Sequence, residues 1–185
     1  MRRTLIALVA LGVLLPAVAQ TDYFPFRAGQ KWRYSSGETQ YISGGKVVAG
    51  QKALVLQHST GGRVSQEDYL LVRADGVFML GYGAGGATVV YYSPALQVYP
   101  AAPLAVGDRW SSSSLAGKTT VAISSRVIAA EGVSVQGGRF NALVIRSSVT
   151  TSTGAASVSD AYFVPGVGTV RYVTQDGSKV DLIGR

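Results

Sequence analysis

The chain has 185 residues, a formal net charge of +7 and no cysteine. The lack of cysteine excludes disulfide frameworks, zinc–thiolate sites, iron–sulfur clusters and thiol nucleophiles. The basic residues are scattered singly rather than gathered in a run, so we expect no specific nucleic-acid partner. A diffuse positive surface could attract anionic envelope polymers, with plain solubility as the alternative interpretation.

The first 19 residues have the layout of a secretory signal peptide. Two arginines precede an apolar stretch over residues 5–15, and the small residues Ala17–Ala19 precede a predicted cleavage before Gln20. The apolar stretch is shorter than the roughly 20 residues that a spanning helix needs. We predict that residues 20–185 form a single exported domain in the periplasm, the cell envelope or the medium, and not an integral membrane protein.

After the signal peptide, apolar residues follow the spacing of β-strands. Continuous apolar runs at residues 53–56, 69–72 and 142–145 predict strands buried on both faces. Residues 121–127 alternate apolar and polar positions, as a half-buried strand does. Residues 93–99 are the one candidate for a helical turn. About a dozen short strands predict an all-β fold: an antiparallel meander barrel, a half-barrel or a sandwich.

A motif of proline, glycine and tryptophan occurs twice, at Pro25–Trp32 and at Pro103–Trp110. Later strand motifs agree in order, with residues 53–56 matching 142–145 and residues 69–72 matching 162–164. This order predicts two duplicated β-meanders, at about 23–92 and 101–185.

Each copy of the motif is predicted to be a corner that begins a meander. Proline fixes its own backbone, glycine permits the turn, and tryptophan opens a strand with a large buried surface. We therefore expect Trp32 and Trp110 to be core residues. The alternative is that they are platforms on which a ligand stacks.

Three segments, YFPFRAGQKWRY, VQGGRFNALVI and YFVPGVGTVRY, together resemble a loose group of uncharacterised secreted bacterial β-proteins. The resemblance spans most of the mature chain and implies an envelope-associated β-fold without catalytic residues. A more distant similarity is to the curved-sheet lipid and lipoprotein carriers of the bacterial envelope. Those carriers close their concave face with helices, and this sequence contains no helical pattern that matches them.

The sequence offers little that could support catalysis. His58 is the only histidine, and it ends an apolar strand just before a turn, where we expect a strand-end histidine at a hairpin turn rather than a catalytic base. Glu67 and Asp68 are adjacent on a strand and so face opposite sides. No other two acids form a convincing pair, and no metal-ligating cluster is present. We therefore expect a protein that is not an enzyme, with neither cofactor nor metal.

The hairpin over residues 77–92 has more apolar surface than one core face can use. With a four-residue loop, Tyr82 is predicted to pair with Ala87 and Phe78 with Tyr91. We expect this hairpin, and not His58, to carry the function through a binding surface that includes Phe78, Tyr82, Tyr91 and Tyr92. The alternative is that the chain itself covers both faces.

Two functions follow from these features. The first is an exported interaction or structural module that binds an envelope protein or polymer. The alternative is a carrier of an apolar or lipid-like ligand inside an open barrel. The interior distinguishes them, because a filled barrel favours the module and a cavity of several hundred Å³ favours the carrier.

Overall fold

A computed structural model describes residues 20–84 and 88–185, and the predicted signal peptide lies outside these residues. The described residues form one short helix and twelve strands. In chain order these are α1 (Gln20–Tyr23), β1 (Lys31–Tyr34), β2 (Glu38–Val48), β3 (Gln51–Thr60), β4 (Arg63–Arg73), β5 (Gly76–Ala84), β6 (Val89–Pro100), β7 (Arg109–Ala116), β8 (Thr119–Val135), β9 (Gly138–Thr151), β10 (Ala156–Val164), β11 (Gly168–Thr174) and β12 (Lys179–Gly184).

The twelve strands form a closed antiparallel barrel. Each strand pairs with the strands next to it in sequence, and β1 pairs with β12 to close the sheet. Closure leaves no unpaired sheet edge. The prediction of an all-β meander barrel is confirmed, and the half-barrel and sandwich alternatives are wrong. No helix among the described residues is long and apolar enough to cross a membrane.

The apolar runs are buried on both faces, as predicted. On β3, Ala53 and Val55 belong to one buried cluster with Tyr69, whereas Leu56 belongs to another cluster with Trp32. Successive residues of a strand point to opposite faces of the sheet. A continuous apolar run therefore contributes side chains to one buried cluster on each face.

Two predictions about the hairpin formed by β5 and β6 are wrong. Residues 93–99 continue strand β6 and do not form a helical turn, because Leu96 is buried opposite Met79 of β5. Tyr82 pairs with Val90 rather than Ala87, and Phe78 pairs with Gln97 rather than Tyr91. The registered pair nearest the turn is Gly83 with Val89, and β-bulges shift the register twice along the hairpin. Sequence alternation reveals neither feature.

The two predicted corners make the same backbone hydrogen bonds. In each corner the glycine N–H donates to the backbone carbonyl of one residue on the following strand, which is β2 in the first corner and β8 in the second. The N–H of that same residue donates to the carbonyl of the residue after the glycine. The contacts are Gly29 N to Ile42 O, Ile42 N to Gln30 O, Gly107 N to Val127 O and Val127 N to Asp108 O. The tryptophans follow at the second positions of β1 and β7. A duplication remains a prediction.

The N-terminal segment fills one end of the barrel, here called the closed end. Tyr23 and Phe24 are buried there with Trp110 and Phe163, and the rings of Phe24 and Phe163 have centroids 5.6 Å apart. The opposite end, here called the His58 end, is where β3 runs into β4. This arrangement leaves the middle of the barrel between an aromatic plug and a group of polar side chains.

Candidate functional site

The middle of the barrel contains a cavity of about 240 Å³. Most of its wall is apolar or aromatic, and its polar lining residues include Gln40, His58 and Asp68. The aromatic lining residues are Phe26, Trp32, Tyr34, Tyr99, Phe163 and Tyr172. A ligand in this space would therefore contact apolar and aromatic side chains over most of its surface.

A second cavity of about 200 Å³ lies beside the first and shares Val98, Tyr99 and Tyr172 with it. Its wall includes Ser125 and Ser147, whose hydroxyl oxygens are 2.8 Å apart. The combined space lies within the range of about 300–1,000 Å³ that is typical of small-molecule sites.

The number of strands explains why the interior is not filled. An eight-stranded barrel is just wide enough for its own side chains, and the diameter grows with the number of strands. In this twelve-stranded barrel the plug residues and large aromatic side chains occupy only part of the width.

His58 lies between two carboxylates at the polar side of the cavity. Its Nδ1 is 2.7 Å from Oε1 of Glu38, and its Nε2 is 3.0 Å from Oδ2 of Asp68. A carboxylate accepts hydrogen bonds, so both ring nitrogens carry protons and the imidazole is an imidazolium. We call Glu38, His58 and Asp68 the interior network.

The pKa values agree with this geometry. Burial alone lowers the pKa of His58, but the hydrogen bonds and charges of Asp68 and Glu38 outweigh burial and raise it to about 9. The hydrogen bond from His58 is the main cause that lowers the pKa of Glu38. At neutral pH the network therefore contains one positive and two negative charges.

Strand register positions the interior network. His58 of β3 lies opposite Gln40 of β2 and Gln66 of β4, so Glu38 and Asp68 are its diagonal neighbours on the same face. The two glutamine side chains hold the carboxylates: Gln40 Nε2 donates to Glu38 at 3.0 Å, and Gln66 Nε2 donates to Asp68 at 2.6 Å.

This geometry was not expected from the sequence. The His58 side chain is largely buried between two carboxylates, and Glu38 and Asp68 meet at its ring. The sequence misses the network because its members are 10 and 20 residues apart and meet only through strand register. One signal was available: the strand patterns place Glu38, His58 and Asp68 near the same barrel end. Glu67 faces away from Asp68 as predicted, and it accepts a hydrogen bond from Gln57 at 2.9 Å.

The predicted tyrosine surface is divided between the two faces of the sheet. Tyr82 and Tyr92 lie on the interior face, with ring centroids 5.9 Å apart. Tyr91 lies on the outer face and is 50% exposed. Phe78 lies under the guanidinium group of Arg73, 4.1 Å from its ring centroid. Burial, with added effects of Tyr82 and Asp68, raises the pKa of Tyr92 to about 12.

Both tryptophans are core residues, as predicted, with 2% of Trp32 and 8% of Trp110 exposed. Their indole N–H groups donate to backbone carbonyls, from Trp32 to Val167 at 2.6 Å and from Trp110 to Val98 at 3.1 Å. Trp32 in addition lines the cavity, so its ring face is part of the candidate site.

Comparison with known proteins adds little to this geometry. No protein-family model matches the chain, and no curated protein matches its sequence. Among solved structures, the chain is similar to the crystal structure of a "putative lipoprotein" from Parabacteroides distasonis. The sequence identity is 12%, the TM-score is 0.48, and the match covers 88% of this chain and 97% of that one. The fold and the site together define a class: a closed β-barrel with an unfilled aromatic interior and one internal charge network.

Proposed function

We propose that this protein is an exported carrier that holds a small amphipathic molecule inside its barrel. The observation that carries the proposal is the unfilled interior, where aromatic walls enclose space that the chain's own side chains leave empty. Apolar walls with a few polar groups at one side are the usual construction of a small-molecule site. Export is inferred from the layout of residues 1–19.

Binding rather than catalysis is the activity that we propose for the interior network. Both ring nitrogens of His58 are bonded to carboxylates, so neither serves as a general base toward a bound molecule in this arrangement. The network instead fixes charge at a defined place beside an apolar space, which orients an amphipathic ligand.

A second candidate function is an interaction module that uses the outer face. Tyr91 and Leu115 are each 50% exposed, on strands that pair at Ser93 and Leu115. An exposed tyrosine beside an exposed leucine suits contact with an envelope protein or polymer. This candidate predicts a partner outside the barrel and no molecule within it.

Native mass spectrometry of protein purified from the exporting cell tests the proposal. We expect a co-purifying small molecule, and we expect the stripped protein to bind an environment-sensitive apolar dye. Met79→Trp, which fills the cavity, should weaken dye binding at least tenfold. Val47→Trp introduces the same side chain at a position that is 72% exposed and should leave binding unchanged. Equal binding by the wild-type protein and Met79→Trp would place the dye elsewhere and contradict the carrier function.

A further inference from the structure

The charges inside the barrel do not cancel. An imidazolium between two carboxylates leaves the interior network with a net charge of −1. No lysine or arginine is among the described residues that line either cavity. Arg146 and Arg171 are paired with Asp160 and Asp181. A negative charge in a partly dry space is screened much less than one on the surface.

One carboxylate oxygen of the interior network, on Glu38, accepts no hydrogen bond from the described residues. Glu38 accepts the bonds from His58 and Gln40 through the same oxygen, Oε1, so its second oxygen has no described partner. The Glu38 side chain is 33% exposed, whereas the Asp68 side chain is only 9% exposed and lines the cavity. A donor group in the cavity thus meets the carboxylate of Asp68, while the second oxygen of Glu38 lies across the His58 ring from it.

Aromatic rings flank the network on both sides. Tyr34 and Tyr172 have ring centroids 5.5 Å apart, and the Glu38 charge adds to burial in raising the pKa of both phenols. Tyr92 is near Asp68, whose charge adds to burial in raising its pKa. These phenols therefore remain neutral, and their ring faces attract cations.

The same arrangement disfavours anions. Each N–H of His58 already donates to a carboxylate, so the imidazolium has no donor left for an anionic head group. A fatty-acid carboxylate at this position would face Glu38 and Asp68 without a counterion. Like charges that lie close together weaken binding, so the interior network selects against an anionic ligand.

We propose that the ligand carried in the barrel has a cationic head group, an amine or a quaternary ammonium, beside the interior network and an apolar tail among the aromatic residues. This inference rests on the proposed carrier function and names its ligand class. The geometry that supports it is the position of Asp68 in the wall of a cavity that also includes Trp32, Tyr34 and Tyr172, with Glu38 bonded to the other ring nitrogen of His58.

Calorimetric titration with chain-matched ligands tests the inference. Decyltrimethylammonium, decanoate and decanol are compared at pH 7, each below its micelle concentration. We expect the cation to bind at least tenfold more tightly than decanoate. Glu38→Gln should reduce this preference about tenfold. Glu67→Gln removes the same charge from the outer face of β4 and should reduce it by less than twofold.

A second readout locates the bound head group. His58 is the only histidine of the chain, so its imidazole gives one set of NMR signals. Those signals should shift on titration with the cation, and the shift does not depend on any variant folding. Equal or tighter binding of decanoate, or equal loss of preference in Glu38→Gln and Glu67→Gln, would overturn the cationic class and leave the carrier intact. Failure of all three ligands to bind would overturn the carrier function itself.

Discussion

Trp32 and Trp110 lie six strands apart around a barrel of twelve, each at the second position of its strand. They follow corners whose glycines, Gly29 and Gly107, make the same backbone hydrogen bonds. Each indole N–H donates to a backbone carbonyl of another segment. The two positions are thus equivalent in the hydrogen bonds of their corners and in order around the barrel, while the two indoles donate to segments that do not correspond.

Two weakly paired seams separate the corresponding halves. Strands β1 and β12 share two registered residue pairs, and so do β6 and β7. Within the halves the number of registered pairs ranges from three, between β1 and β2 and between β11 and β12, to fourteen, between β8 and β9. The seams divide the barrel into β1–β6 and β7–β12, which are the halves expected from a duplicated six-stranded meander. A superposition of the two halves tests the duplication and would contradict it if the tryptophans fell on unrelated strands.

The corner glycines should be required by their backbone conformation. Gly29 and Gly107 have φ values of 87° and 100°, although a Cβ at either position would meet open space. Changing either to alanine should therefore cost about 1–2 kcal/mol of unfolding free energy through backbone strain alone. Gly132→Ala is the matched control, because that site is equally open and does not have a positive φ. Urea denaturation measures all three, and equal effects would contradict the argument.

Stability should depend on the protonation of His58. Its pKa is raised from 6.5 to about 9, so its contribution is present below about pH 6.5 and is lost as the pH rises through 9. The shift corresponds to about 3 kcal/mol of unfolding free energy. Glu38 acts oppositely: its pKa is lowered, so its contribution is lost as the pH falls.

Denaturation between pH 6 and pH 10 measures this dependence, and His58→Gln is the control. We expect the wild-type protein to lose stability over this range and the variant to show a flatter profile, since both share every other titrating group. An NMR titration of His58 should give a pKa well above 6.5. A value at or below 6.5 would mean that the imidazole is not held between two carboxylates in solution.

The sequence predicted features that depend on local pattern. Alternation and apolar runs predicted the strands, and the repeated motif predicted that Trp32 and Trp110 are buried at corresponding corners. The interior network could not be read this way, because Glu38 and Asp68 reach His58 through the registers of β2, β3 and β4. The register across the turn also hid which tyrosines face inward. Tyr82 pairs with Val90 rather than Ala87, and a shift by an odd number of residues exchanges the two faces of β6.

Substitutions at Tyr92 and Tyr91 distinguish the carrier function inside the barrel from the interaction module on its outer face. Tyr92 contacts Tyr82 on the interior face, whereas Tyr91 is half exposed on the outer face. We expect Tyr92→Ala to weaken binding of an interior ligand severalfold, and Tyr91→Ala to leave both that binding and stability within about 0.5 kcal/mol of wild type. Calorimetry and urea denaturation measure these effects. If only Tyr91→Ala reduced capture of an envelope partner, the interaction module would replace the carrier.

Side chains of β7 should hold the seam with β6 closed. Gln97 N donates to Ser112 Oγ at 2.9 Å, and Ser114 Oγ donates to the Pro94 carbonyl at 2.5 Å. These bonds connect β6 and β7, which share only two registered residue pairs, and Ser114 is buried. Ser114→Ala leaves the Pro94 carbonyl without this donor and should cost about 1–3 kcal/mol.

Hydrogen exchange locates the effect of that change. In Ser114→Ala the amides of β6 and β7 should exchange faster, while those of β8 and β9 keep their protection, because the lost bond belongs to the seam alone. Ser113→Ala removes a hydroxyl from the preceding residue of the same strand, which is exposed. It should leave the exchange pattern unchanged and stability within about 0.5 kcal/mol of wild type. Uniform loss of protection around the barrel would mean that the seam opens only with global unfolding, and that β7 side chains give it no separate stability.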